Sequence, residues 1–283
     1  MTWRALDPRR LFPEGDYRFH LGLRTGDATA FFGPAEQPAA LLAERCRWLD
    51  EAPEQYAACL NEGGELLDET IELAVSWGVS TLRGLLPGVR SAGDRLRPAE
   101  RCVEVARRWA PDFLLLHRGS DHTFRLVGGA VCFPSSWALQ DKLGLPVAKV
   151  HGVVPGLNAA LGRQIDRFLD RLAPGAAWER ENWGLSRDAE LNHHPRRTLP
   201  RLDAGVSLDT AWLRVEHQAF VRLPRTGGLL FGIRLSLHPL RALATDPIAK
   251  QGLVRALATM PDEVARYKGL SEARAALLRA LGS

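Results

Sequence analysis

No stretch of this 283-residue chain comes near 18 consecutive apolar residues, so no membrane-spanning helix is expected. The opening Met1-Thr2-Trp3-Arg4, followed by Asp7, Arg9 and Arg10, lacks the apolar centre of a secretory signal. A soluble, cytoplasmic protein is the expectation. Cysteine is scarce: Cys46, Cys59, Cys102 and Cys132 are separated by 13, 43 and 30 residues. Those spacings match neither a zinc knuckle nor an iron–sulfur pattern, so free, mostly buried thiols in a reducing compartment follow. Net charge is small. The 37 basic and 33 acidic residues leave +4, too little to signal a nucleic-acid partner by itself.

The common chemical motifs are missing too. The chain has no GxxxxGK(S/T) phosphate loop, no GxGxxG dinucleotide turn, no HExxH zinc helix and no GxSxG nucleophile elbow. His193-His194 lacks carboxylates in register and runs into Pro195, which makes it a loop feature rather than a metal pair.

What remains is an ordinary globular composition, 46% hydrophobic and 25% charged, which can build a core. Charge is uneven along it. Ten acidic residues lie between Glu36 and Glu72 against two arginines. Eight arginines lie between Arg196 and Arg241 against three acids, which suggests an electropositive surface in the second half.

Apolar spacing predicts helices over Pro38–Leu49, Pro53–Leu60, Glu65–Trp77 and Pro98–Trp109, with a loop over Leu85–Arg97. Strands are predicted over Phe113–His117 and Phe124–Phe133, the second bent at Gly128-Gly129. A short helix capped by Ser135 or Ser136 runs to Lys142, and a longer one covers Leu157–Leu172. Trp178–Trp183 is a third strand. Trp212–Leu223 and Leu229–Leu237 form the clearest hairpin, with strict period-two alternation. Further helices occupy the tail after Pro239. This order argues an antiparallel sheet with helices on one face, an α+β fold.

Three features invite chemistry. His151 lies between two helices, with Gly152 and Gly156 allowing close approach of a bulky partner; it is either an axial haem ligand or a satisfied loop histidine. Arg234 and Glu216 occupy adjacent arms and share a face if the register permits, as a polarising pair in a cavity or as a plain cross-strand ion pair. His217, among apolar neighbours, lines a pocket or hydrogen-bonds within the core.

The same residues carry a resemblance. Phe133-Pro134-Ser135-Ser136-Trp137, Lys142-Leu143-Gly144 and Val150-His151-Gly152-Val153-Val154-Pro155 resemble consecutive blocks of the haem-dependent oxidative N-demethylase alpha-subunit family. Arg180-Glu181-Asn182-Trp183, Leu213-Arg214-Val215-Glu216-His217-Gln218, Arg222-Leu223-Pro224-Arg225-Thr226-Gly227 and Leu230-Phe231-Gly232-Ile233-Arg234 agree as well. The resemblance implies a PAS-like five-stranded antiparallel core over residues 111–240 that binds haem b, with a helical extension over 1–110 and C-terminal helices over 241–283.

It also implies an activity, oxidation of a small secondary amine such as dimethylamine with dioxygen, one N-methyl carbon leaving as formaldehyde. Electrons would come from NADPH through FMN and 2Fe-2S groups on a reductase partner subunit. A homo-oligomer is possible, and neither nucleic acid nor a membrane is an expected partner. His151 becomes the axial ligand by resemblance, since the family's own histidine motif resembles its block. Arg234 is carried over as donor to dioxygen or a propionate, and Glu216 as partner of the protonated amine. Asn182, Trp183, Arg214 and Arg222 are carried over as cofactor-binding. One departure stands out: the family pattern Arg-Gln is His217-Gln218 here, which replaces a fixed charge by an imidazole. A non-catalytic haem-binding PAS-like sensor or regulatory protein is the alternative.

Overall fold

The computed structural model describes residues 6–34, 39–89 and 96–282. The chain opens with α1 (Pro8–Leu11), β1 (Arg24–Thr25), α2 (Ala28–Phe32), α3 (Ala39–Glu51), α4 (Pro53–Tyr56) and β2 (Ala57–Cys59). Two longer helices, α5 (Gly64–Ser76) and α6 (Pro98–Arg108), lead into β3 (Asp112–Arg118) and β4 (Phe124–Ala130). Then come α7 (Val147–His151), α8 (Leu157–Arg171), β5 (Ala177–Ser186), β6 (Trp212–Arg222) and β7 (Leu229–Pro239). Four helices close the chain: α9 (Leu240–Leu243), α10 (Pro247–Thr259), α11 (Asp262–Tyr267) and α12 (Arg274–Leu281). The loop expected over Leu85–Arg97 falls partly outside the described residues.

The α+β class holds, but the sheet has seven strands rather than five, all antiparallel, in the order β1-β5-β6-β7-β3-β4-β2. The five expected strands form its middle. The two additions come from residues 1–110, expected to be a helical extension. Pro53–Leu60 stays helical only to Tyr56, because Ala57–Cys59 then pairs with Ala130–Gly128 along the exposed side of β4. An edge strand offers unpaired N–H and C=O groups, and this short segment satisfies them.

The expectation of helices on one face is also corrected, because both faces are covered. Phe113 and Leu115 point to a cluster with Phe31, Phe32, Leu67, Ile71, Val105 and Trp109, from the N-terminal helices. Leu114 and Leu116 point the other way, to Leu169, Leu172 and the rings of Phe220 and Phe231. A third cluster joins Trp183, Leu213 and Val215 to the C-terminal helices. Strands buried on both faces read as continuous apolar runs, and Phe113-Leu114-Leu115-Leu116 is one.

The helix expected to end at Lys142 is absent; residues 135–142 form turns. Ser136 adopts a left-handed backbone, φ 64°, which a helix does not admit. Its N–H donates to His193 O at 3.1 Å, and Gly144 N–H donates to Leu126 O at 2.7 Å. These bonds hold the segment flat against β4 and the 192–194 loop.

The β6–β7 hairpin closes through Leu223–Gly228, with Gly227 at φ 70°. The buried carboxylate of Glu69 in α5 accepts the N–H groups of Arg225 (2.6 Å) and Thr226 (2.8 Å), which pins the turn to the N-terminal helices.

Candidate functional site

Register decides which polar side chains meet. Asn182 lies opposite Glu216 and Arg180 opposite Gln218, so these four share one face of β5 and β6. Glu216 Oε2 accepts Gln218 Nε2 at 2.9 Å and Asn182 Nδ2 at 3.3 Å, which holds the carboxylate in one orientation. Its charge acts on a ring of basic groups. Burial lowers the pKa of Lys142, and burial lowers that of Lys268 to about 8, while Glu216 opposes both shifts. Arg214 is lowered to about 10 by burial, again against the pull of Glu216.

His151 ends α7 on this side of the sheet. Burial pushes its pKa down to about 4, and the positive charges of Lys142 and Arg180 add to the effect. The ring is therefore neutral across the ordinary pH range. Its Nδ1 is buried and has no hydrogen-bond partner among the described residues. A buried nitrogen without a partner is costly, and a neutral imidazole is the form that ligates a metal. Among the described residues no three His, Cys, Asp or Glu side chains gather to hold a bare metal ion. One such imidazole beside basic groups suffices for an iron already held by a porphyrin, so the residues present fit a haem.

A small cleft, open to solvent, runs along β5 beyond its short pairing with β1. Phe12, Phe19, Trp183, Arg180, Asn182 and Lys268 line it. Lys268, just past α11, donates from Nζ to Trp183 O at 2.7 Å and satisfies that carbonyl. Its ammonium also lies 4.9 Å from the centre of the Trp183 ring.

The structure brings His151, Glu216 and Asn182 to this neighbourhood. Trp183 reaches it at the strand edge, although its ring packs edge-on to Phe12 at 5.2 Å with the C-terminal cluster. Arg214 is on the right face, but its guanidinium donates to Glu190 O (2.6 Å) and Leu191 O (2.9 Å), which anchors a loop. Arg222 lies six residues along β6 from Glu216, roughly 20 Å away, over the Phe124 ring.

The pairing of Arg234 with Glu216 is overturned by the register. Arg234 lies opposite His217, and Glu216 opposite Leu235, so the two charges leave opposite faces. Arg234 instead donates to Phe31 O (2.8 Å) and Gly33 O (3.3 Å) and clamps α2 to the sheet. His217 takes the core alternative: its Nε2 is 2.9 Å from Ser236 Oγ, which is 3.0 Å from His238 Nε2.

Gln218, Arg180 and Lys268 escaped assignment from sequence. Period two in β5 and β6 already put Arg180 beside Asn182 and Gln218 beside Glu216, so that signal was present. Lys268, brought in from a distant helix, carries none.

A family model described as haem-dependent oxidative N-demethylase, alpha subunit-like, matches residues 89–278, about two thirds of the chain. The chain belongs to this family. The matched region contains β3 to β7, α7 with His151, and Lys268, so every group of the Glu216 cluster lies inside it. Among the described residues no helix is long and apolar enough to cross a membrane.

Proposed function

We propose that this haem-dependent oxidative N-demethylase-like chain binds haem b through His151 and removes a methyl group from a small secondary amine. The net reaction consumes amine, dioxygen, NADPH and a proton, and yields the demethylated amine, formaldehyde, NADP⁺ and water. Haem iron, when bound, supplies the reductive use of dioxygen that oxidises the N-methyl carbon. Electrons from NADPH would reach it through FMN and 2Fe-2S groups on a partner subunit, as the resemblance implies; the alpha-subunit description of the family fits the existence of such a partner.

The observation that carries this reading is the imidazole of His151: neutral, buried at Nδ1 and without a partner, inside the family match. The chain's own groups supply the rest. His151 would hold the iron. Glu216, held by Asn182 and Gln218, offers a carboxylate to the ammonium of the protonated amine. The five central strands, with the first and last neighbours in the sheet, support a PAS-like core. With His217 spent on Ser236, the imidazole that replaces the family's arginine serves packing on the far face.

The test is an absorption spectrum of protein from a haem-supplemented culture, oxidised and reduced, beside His151→Ala. A stoichiometric Soret band that is lost or strongly shifted in the variant is the expected result, followed by dimethylamine-dependent oxygen uptake with a reductase. Wild-type protein that takes up no haem would sink the reading.

A further inference from the structure

Arg180 stands near the middle of β5, and among the described residues its half-buried side chain makes no hydrogen bond and no ion pair. Its Nε is sealed from solvent with no acceptor. A guanidinium does not shed its proton in a protein, so this is a cation without a bonded counter-charge.

The two nearby carboxylates are committed elsewhere. Glu216 is held by Asn182 and Gln218, and Glu181 receives two bonds from Arg24, at 2.6 and 2.7 Å. Lys268 brings a second positive charge to the same cleft and spends one of its three protons on Trp183 O. Arg18, His20 and Arg255 also line the cleft, against the acids Asp16 and Glu181. A concave space with apolar aromatic walls and unpaired donors is the form of an organic-anion site.

We infer that this cleft is a carboxylate subsite, in which Arg180 and Lys268 take one carboxylate while its apolar body lies against Phe12, Phe19 and Trp183. Two sources offer that chemistry. One is a propionate of the haem, which rests on the function proposed above. The other is the substrate itself, an N-methylated amino acid. Arg180 and Glu216 are diagonal neighbours on one sheet face, about 7–8 Å apart at the backbone, a spacing that accommodates both charges of a small zwitterion.

The experiment compares wild type with Arg180→Met, Lys268→Met and the exposed control Arg163→Gln. Haem and haem dimethyl ester are titrated by absorbance, and N-methylglycine and dimethylamine by calorimetry. Thermal melts of the ligand-free proteins come first. Arg180→Met removes an uncompensated charge, so its melting temperature should equal or exceed that of wild type.

If a propionate is the ligand, Arg180→Met and Lys268→Met weaken haem by about tenfold or more and leave the dimethyl ester unchanged. If the substrate is the source, haem is unaffected and N-methylglycine weakens by about tenfold, with dimethylamine unchanged. Haem and N-methylglycine both within twofold of wild type in both variants would overturn the subsite. So would a drop of several degrees in the ligand-free Arg180→Met melt, which marks a structural charge. Should wild type take up no haem, the proposed function fails by itself. The N-methylglycine arm still decides the subsite: binding lost in the variants supports it, and no binding by wild type overturns it.

Discussion

Glu216 and Arg234 project from opposite faces of the β6–β7 hairpin, although their arms are adjacent and both alternate in period two. The two charges should therefore act independently. Arg234→Met strands the carbonyls of Phe31 and Gly33 and should cost about 2–4 kcal/mol of stability, with the Soret band of the haem-loaded protein unmoved. Glu216→Gln should stay within about 1 kcal/mol of wild type yet weaken amine binding. Urea unfolding of both variants and the double variant checks this. A coupling energy above about 0.5 kcal/mol would contradict the register.

His151 makes a pH prediction whose sign is fixed by burial. Its folded pKa, about 4, lies below the unfolded value, 6.5, so the unfolded chain binds the extra proton first. Stability from this residue is complete above pH 6.5, falls as pH drops through 6.5 to 4, and changes no further below 4. Its size is at most about 3 kcal/mol, less what residual solvent contact screens. In the ligand-free protein, His151→Ala should flatten the stability profile in that window. His193 and His194 are lowered by burial as well, so some slope persists. Equal slopes for variant and wild type would refute the claim.

The alternation in β6 and β7 was legible residue by residue; the register between them was not. Leu223–Gly228 closes the arms with an even number of residues, so even positions pair with odd ones. The cluster Pro224-Arg225-Thr226-Gly227-Gly228 marks a turn but leaves its length open, and one residue more or less would have placed Arg234 beside Glu216. The helix expected at Ser135 failed for a related reason. Its serines and the following apolar residues satisfy a local rule, while the bond from Ser136 N–H to His193 O, 57 positions away, decides the conformation. His151 was singled out by its resemblance to the family's histidine block, and its place on the Glu216 side of the sheet, near Lys142 and Arg180, came only with the fold. Lys268 was not, because its place depends on how the C-terminal helices wrap the edge of β5.

Asp112 and Arg45 form a buried ion pair at 2.6 Å, both side chains at 3% exposure or less. Asp112 also accepts the N–H groups of Cys132 (2.9 Å) and Phe133 (3.0 Å), and Arg45 Nε donates to Ala106 O. One carboxylate thus ties α3, β3 and the exit from β4 together. Asp112→Ala leaves the guanidinium and two backbone donors uncompensated, and should cost about 3–5 kcal/mol. Replacing both partners with apolar residues should recover a good part of that loss. Chemical denaturation of the single and double variants checks both statements, and a double variant no more stable than Asp112→Ala would count against the uncompensated charge as the cause.

Gly232 leaves room for the rings of α2 against the sheet. A Cβ there would lie 2.3 Å from Phe32 Cε1, 2.6 Å from Cζ and 2.9 Å from Phe31 Cε1, well inside van der Waals contact. Glycine in a strand interior is locally unfavourable, so its presence marks a close approach. Both rings sit in the N-terminal core, Phe32 stacked on Trp77 at 5.1 Å, and cannot swing into solvent. Gly232→Ala must therefore displace α2, and with it the Phe31 and Gly33 carbonyls that hold Arg234. The expected cost is about 2–4 kcal/mol, overpacking plus the weakened clamp. Phe32→Leu opens space at that spot, so the double variant should be less destabilised than the sum of the two single changes. Thermal melts of the four proteins test this, and strict additivity would place the cost of the alanine somewhere other than the α2 contact.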